Sequence, residues 1–504
     1  MTAKTYTIQG LSIIIFSLLI LSKTTQSQTD RTKYFLESIP QANYSNPANV
    51  PDAKYYIAIP GLSSHYLSFK NSGFTYEDIL SRRDDDSLEL TTNKFLNSLS
   101  EKNTLSFNQS AEILAFGFRA RKSYFYFNIT EKFSSNMKYP KELFNLLLNG
   151  NYQYIGEEVS LEGIGLNLNV YNEFALGFSR EINKRWTIGT RIKYLIGIAN
   201  IWTEESDLKL YTGTADEAYT MRATSNIIIN TAVPGTLSKI SDSIGEFEFS
   251  DFTKNSGFAL DLGGKFKLNE KFTFSASVID FGYIKWKEGV ENYVSKSANN
   301  TFSFEGIEFN EFFSGGEVND STFTTVIDSL EKSLGIDTTN NSYRAPLVTQ
   351  FHVAAIYSLT PRDRFGALIR GNISSTGLDP SITVSYNRAF GRTFNLAISY
   401  TAMNKSYMNF GLGTVLNIGA FQLYLISDNI YSYIAPKKSK FVNFVFGMNV
   451  TVGRIKPPKI FALEVDDTPM EAPLETTPTE TPVEEEQKVE QEKEQEDIQD
   501  DEQD

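Results

Sequence analysis

Phe441-Val442-Asn443-Phe444-Val445-Phe446-Gly447-Met448-Asn449-Val450-Thr451-Val452-Gly453 is the stretch whose reading decides the fold. From Val442 to Val452 every second residue is apolar. The interleaved set holds Asn443, Gly447, Asn449 and Thr451, with Val445 the one exception. Successive strand side chains point to opposite faces, so this period predicts a strand with one apolar and one polar face. The pattern recurs in Phe394, Leu396, Ile398 and Tyr400 against Asn395, Ala397, Ser399 and Thr401. It recurs again in Leu166, Leu168, Val170, Phe174, Leu176 and Phe178, broken only by Asn172, with Asn167, Asn169, Glu173 and Ser179 on the other face. A soluble sandwich buries such a face against a second sheet or helices. Here the apolar face repeats with nothing complementary to cover it, so lipid is the expected solvent. Transmembrane strands need about 9–11 residues, apolar outward and polar inward. The expected fold is all-β: a single antiparallel transmembrane β-barrel.

Short polar links join consecutive alternating segments at Ala120–Lys122, Asn183–Arg185, Asn269–Lys271, Pro361–Asp363, Gly391–Thr393 and Ile418–Ala420. Short links on one rim are the periplasmic turns of such barrels. The intervening connections, Ser72–Asn103, Ser134–Ser160, Glu204–Ser256, Lys287–Pro346, Asn372–Asp379, Met403–Ser406 and Asn429–Lys440, are mostly longer and read as extracellular loops. With Ala53–Phe69 as first strand and Phe441–Gly453 as last, the count is about 14 strands, both chain ends being periplasmic. Ala218–Val233 reads as extra strands or a hairpin projecting above the membrane. Tyr139–Asn151 and Ser321–Leu334 carry apolar residues at helical spacing. They read as lids or an apolar surface at the barrel mouth, or as small helices packing a loop against the rim.

Composition narrows the chemistry. Aromatic residues make up 13% of the chain, which suits lipid-facing and girdle positions. There is no cysteine, which removes disulfides, thiolate metal sites and Cys nucleophiles. The two histidines, His65 and His352, are far apart and read as polar lumen or loop positions. Neither Gly-x-Ser-x-Gly nor His-Glu-x-x-His occurs. Asp280-Phe281-Gly282 imitates a kinase magnesium motif but lacks its accompanying motifs, and Gly411-x-Gly413 lies inside an alternating segment rather than before a helix. No enzyme, cofactor, metal site or nucleic-acid partner is expected.

Lys4 precedes an apolar core, Leu11–Leu21, too short to span a bilayer but suited to a secretory signal. Thr25-Gln26-Ser27 places small residues for cleavage before Gln28, so residues 1–27 read as a signal peptide. The net charge of −14 is concentrated at the other end: residues 461–504 hold 18 acidic residues and two lysines. This Pro/Thr/Glu-rich tract follows Pro457-Pro458, cannot bury a core, and reads as a disordered periplasmic tail over residues 457–504. The barrel proper spans residues 53–456.

Asn46-Pro47-Ala48-Asn49 precedes the first strand, Val278-Ile279-Asp280-Phe281-Gly282-Tyr283-Ile284-Lys285-Trp286 ends a central one, and Asp428-Asn429-Ile430, Asn443, Phe446-Gly447 and Val452-Gly453 close the sheet. Together they resemble a domain-of-unknown-function family of outer-membrane barrels from Bacteroidetes-type bacteria. More remotely the chain is similar to the long-chain fatty-acid transporter superfamily, with its type IX secretion-associated barrels. The resemblance covers residues 34–453. It implies a 14-stranded barrel whose N-terminal segment, residues 28–52 here, plugs the lumen. It carries over no ligand-binding residue.

The expected inward faces carry Glu173, Arg191, Lys193, Asp261, Lys265, His352 and Arg370. They read as structural cross-barrel salt bridges or as the polar lining of a solute path. The expected function is a transport-type barrel passing a small solute, hydrophobic ones included. The alternative is a non-enzymatic scaffold docking envelope or secretion-system proteins through its loops or acidic tail. Outer-membrane lipid is the expected surrounding partner. Five triplets, beginning at Asp86, Asp242, Asp320, Asp328 and Asp337, resemble the O-glycan acceptor pattern of Bacteroidetes-type bacteria, and all fall in the expected loops.

Overall fold

Backbone pairing and side-chain alternation together decide where each strand runs. The computed structural model describes residues 31–84, 88–217, 221–233, 254–302, 335–374, 377–403 and 406–453. The expected leader, the helical pattern expected over Ser321–Leu334, the triplets at Asp242, Asp320 and Asp328, most of the one at Asp86, and the expected tail lie outside these residues.

Fourteen antiparallel strands close into one barrel. They are β1 (Tyr55–Ala58 and His65–Asn71), β2 (Lys102–Ala120), β3 (Ser123–Pro140), β4 (Gly165–Glu181), β5 (Trp186–Thr212), β6 (Ser256–Lys267), β7 (Phe272–Trp286), β8 (Thr349–Ser358), β9 (Asp363–Ser374), β10 (Gly377–Phe390), β11 (Phe394–Met403), β12 (Ser406–Ile418), β13 (Phe421–Ser427) and β14 (Phe441–Val452). The last strand pairs with the first, Tyr55 opposite Val452 and His65 opposite Phe446. The six short turns fall where the sequence places them, all on one rim.

The outer wall follows the alternation. Leu176, Ile192, Phe258, Val353, Ile382, Ile398 and Phe444 all point outward and stay exposed. Their paired neighbours point inward: Glu173, Lys193, Thr383, Ser399 and Asn443 are buried. No described helix is long and apolar enough to cross a membrane.

Four features depart from the sequence reading. β1 is interrupted: Ile59–Ser64 bulges outward at Pro60 and at Gly61 (φ +74°), and pairing resumes at His65. His65 is therefore on the outer wall, not in the lumen or a loop. Its ring stacks on Phe446 at 4.8 Å and its Nε2 lies 2.7 Å from the Gly61 carbonyl freed by the bulge. Second, β3 and β5 run past the expected ends, to Pro140 and to Thr212, because ladder bonds continue where side chains no longer alternate. Third, Met221–Ala232 pairs with the far half of β5 and with Val290–Phe302, forming the projecting hairpin. Fourth, much of the lumen is apolar. Tyr171, Leu195, Ala259, Ile284, Trp286 and Leu347 form a core toward the long-loop end.

Lys141–Asn149 is helical and packs Leu143, Phe144 and Leu148 against Phe95, Leu96, Leu99 and Tyr139, the rim-packing option. Asp337-Thr338-Thr339 lies in an exposed loop strand at the long-loop end.

Candidate functional site

A bulge organises the charged centre of the lumen. On β7 two residues, Ile279 and Asp280, oppose the single Asp261 of β6, since Leu260 pairs with Phe281 and Leu262 with Val278. Asp280 takes φ +60°, a conformation that Asp tolerates better than most side chains, and its N–H donates to Asp261 Oδ1 at 2.7 Å. The extra residue switches the inward set from Ser275, Ser277 and Ile279 to Asp280, Ile284 and Trp286.

Five consecutive strands then bring three cations and three anions together. Lys132 (β3) lies 2.7 Å from Glu173 (β4) and 3.5 Å from Asp280. Arg191 (β5) pairs with Glu173, and with Asp261 at 3.3 Å. Lys193 (β5) lies 2.7 Å from Asp261 and 3.6 Å from Glu173, and pairs with Asp280. Buried ions need good mutual geometry to offset desolvation, and this set is formally neutral.

Residues 31–52 pack against inward-facing residues from most of the barrel. Asp428, just past β13 and buried, accepts the backbone N–H of Arg31 at 3.2 Å, that of Thr32 at 2.8 Å and the Thr32 hydroxyl at 2.6 Å. Asn443 holds Asp428 in place, donating from Nδ2 at 3.1 Å. Gln41 and Asn449 exchange amide hydrogen bonds at 2.8 and 2.9 Å. The Tyr44 hydroxyl donates to Glu112, and its ring lies 4.4 Å from the Arg191 guanidinium, linking this segment to the charge cluster. Asn46 folds back on the Ala48 N–H at 2.9 Å, and Ser179 donates to the Pro47 carbonyl at 2.5 Å. The wall leaves room for this: a Cβ at Gly189 would strike the Pro47 backbone, one at Gly366 would strike Phe35, and one at Gly413 would strike Leu36.

Toward the short-turn end Glu37 pairs with Lys265 and, at 2.9 Å, with Arg364. Burial pushes the Glu37 carboxyl up, but the two cations outweigh it and hold it at about 2. His352 accepts or donates at 3.3 Å to Ser277, and Arg370 Nε lies 3.1 Å from its Nε2. Tyr34 stacks on the His352 ring at 5.6 Å.

All seven expected lumen residues therefore face inward, but in three groups. Glu173, Arg191, Lys193 and Asp261 share the central cluster, Lys265 binds Glu37, and His352 with Arg370 joins the cluster only through Gln350, which accepts from Arg370 at 2.7 Å and donates to Asp280 at 3.4 Å. Lys132, Asp280, Glu112 and Asp428 were absent from the expected set. Lys132 sits where β3 loses its alternation, Asp280 enters only through the bulge, and Asp428 lies in a segment assigned to a loop. Among the described residues, voids flank residues 31–52. One of about 40 Å³ lies among the central charges, enough for a few waters. Another, of about 470 Å³, lies at the short-turn mouth, lined by Phe35, Leu36, Val50, Arg362, Arg364 and Leu396 among others. Among the described residues no acidic or histidine group is arranged to hold a metal ion.

A family model described as "Family of unknown function (DUF5723)" matches residues 47–428. No curated protein matches the chain. Among solved structures, the toluene transporter TodX of Pseudomonas putida aligns at 9% identity over 84% of this chain and 93% of its own, with a TM-score of 0.36. A FadL homologue of Pseudomonas aeruginosa aligns at 10% identity over 85% and 99%, with a TM-score of 0.40. The toluene transporter TbuX of Ralstonia pickettii aligns at 9% over 82% and 94%, with a TM-score of 0.36.

Proposed function

The chain belongs to the DUF5723 family of unknown function, and from that premise we propose that it is an outer-membrane barrel of the transport type, passing a small solute past a plug. Residues 28–52 are the plug in this reading. The outward apolar wall supports the membrane setting, since a continuous lipophilic band around a closed sheet has no other stable solvent. In this reading the short turns are periplasmic, because the first and last strands of the barrel begin and end at that rim.

The observation that carries the transport reading is the void of about 470 Å³ beside Glu37, at the end of the lumen nearest the short turns. It is of the size that takes a small ligand, and its lining mixes apolar side chains with arginines. Reaching it from the long-loop side requires residues 31–52 to shift, because only about 40 Å³ is free among the central charges. The chain has no cysteine, so a lock can be installed cleanly. Ser38 Oγ and Asn395 Nδ2 lie 3.2 Å apart, and a Ser38→Cys/Asn395→Cys pair joined by a short thiol-reactive linker would hold the segment to β11. Vesicle swelling in small sugars and uptake of an apolar fluorescent dye should fall on linking. Equal rates before and after linking would reject a moving plug.

The narrow centre also favours a second reading, an occluded scaffold that docks envelope or secretion-system proteins. No flux in either state, with proteins captured reproducibly from envelope extracts, would select it.

A further inference from the structure

Charge is distributed unevenly between the two rims. The six short turns with their flanking residues (119–122, 180–186, 265–271, 361–364, 388–393 and 418–421) hold thirteen lysines and arginines against three acidic residues. At the opposite end, loop segments 141–164 and 203–217 hold nine acidic residues against two lysines. Four of the thirteen cations are paired: Arg119 with Glu181, Lys265 and Arg364 with Glu37, and Arg388 with Asp363. The other nine are exposed and have no carboxylate partner among the described residues. Uncompensated like charges repel one another and cost stability unless something outside the barrel answers them.

Their placement says what that is. Five of the six turns contribute, so the cations run round the rim from β2 to β11 rather than clustering at one turn. Beside them on the outer wall lie exposed Trp186, Phe272, Leu359, Phe390 and Phe421. The Arg388 guanidinium lies 5.3 Å from the Phe390 ring, and Lys54 lies 5.4 Å from the Tyr55 ring. Aromatic side chains at this level with cations just beyond mark the border between hydrocarbon and headgroups. A soluble acidic protein would meet one arc of such a ring, whereas a planar lipid surface meets all of it.

We propose that the short-turn rim is a collar for the phosphate headgroups of the adjoining leaflet, selecting anionic phospholipids over zwitterionic ones. The proposal rests on the barrel being embedded in a membrane. Attraction of this kind weakens with ionic strength and with each cation removed.

Trp186 is a built-in reporter. It is half exposed at the collar, whereas Trp286 is fully buried, and Trp202 can be removed by Trp202→Phe. That variant is reconstituted in phosphatidylcholine vesicles containing either brominated phosphatidylglycerol or brominated phosphatidylcholine, and Trp186 quenching gives the relative affinity of the two. The expected result is a several-fold preference for phosphatidylglycerol at low salt. It should shrink toward unity in about 0.5 M salt, and on adding Lys184→Ser, Arg185→Ser and Lys271→Ser. Equal quenching by both lipids, or a preference that survives the three substitutions, overturns the collar. Failure of either lipid to quench Trp186 overturns the membrane reading itself and the collar with it.

Discussion

Lys193→Met tests the central cluster. Lys193 is fully buried and touches all three carboxylates, at 2.7 Å from Asp261, 3.6 Å from Glu173 and in contact with Asp280. Met keeps most of the side-chain volume and removes the charge. Two cations then face three anions, with room for only a few waters to answer the excess. Deleting one partner of a buried ionic set costs about 3–5 kcal/mol, and the triple contact puts Lys193 toward the upper end. Asp280→Asn is the compensating change: it restores neutrality, and Asn tolerates the φ of +60° as well as Asp does. Alone it should also destabilise, because it leaves a cation in excess. The double variant should be more stable than the sum of the single losses by about 1–3 kcal/mol. Urea unfolding of the refolded barrel in detergent micelles reads all four forms. A Lys193→Met loss below about 1 kcal/mol, or strictly additive losses in the double variant, would show that the six charges are solvated independently and that the cluster is not a unit.

Phe446→Arg should cost about 2–4 kcal/mol near the middle of the outer wall, while Phe446→Leu should cost far less; heat-modifiable gel migration separates them. Asn449→Arg, mild if the lumen were open, should also impair folding, since Asn449 is fully buried between Gln41 and Gln422. Glu37 contributes stability with a defined pH sign: its carboxyl sits at about 2 against an ordinary 4.5, so the contribution is complete above about 4.5 and is lost as pH falls toward 2. Glu37→Gln should flatten the stability profile in that window, and an unchanged slope would remove the group from the account. N-terminal sequencing of the membrane-extracted protein should begin at Gln28; retention of Met1 would exclude a cleaved leader. Truncation after Lys456 should leave a folded barrel, because β14 ends at Val452 and already pairs with both β13 and β1.

The closed sheet was legible because its determinants are local. Turn spacing and period two in β4, β11 and β14 are readable residue by residue, and pairing needs nothing else. What filled the lumen was less legible, because it depends on contacts hundreds of residues apart. Val445 looked like a lapse in an otherwise polar face. It is inward and fully buried, packed in one cluster with Leu36, Ile39, Tyr66 and Tyr424. Its apolarity answers the N-terminal segment, not lipid. The same holds for Gly411 and Gly413, which seemed idle in an alternating strand and instead clear space for Thr32 and Leu36. Asp280 was misleading in another way: the period-two rule places it outward, and a single inserted residue reverses that for the rest of β7.

The glycines opposite Phe35, Leu36 and Pro47 make the inner wall a cast of one particular stretch of chain. A cast is specific to its object and indifferent to whether a covalent bond attaches it. A barrel made without residues 31–52 would hold an empty impression bordered by Asp428, Glu112 and Asn449. A peptide of that sequence, added from outside, is the molecule best shaped to occupy it. Exchanging the segment for that of another barrel would bring the wrong relief against the same wall. A side chain added at Gly189, Gly366 or Gly413 would in turn demand a different residue or path opposite it in the segment.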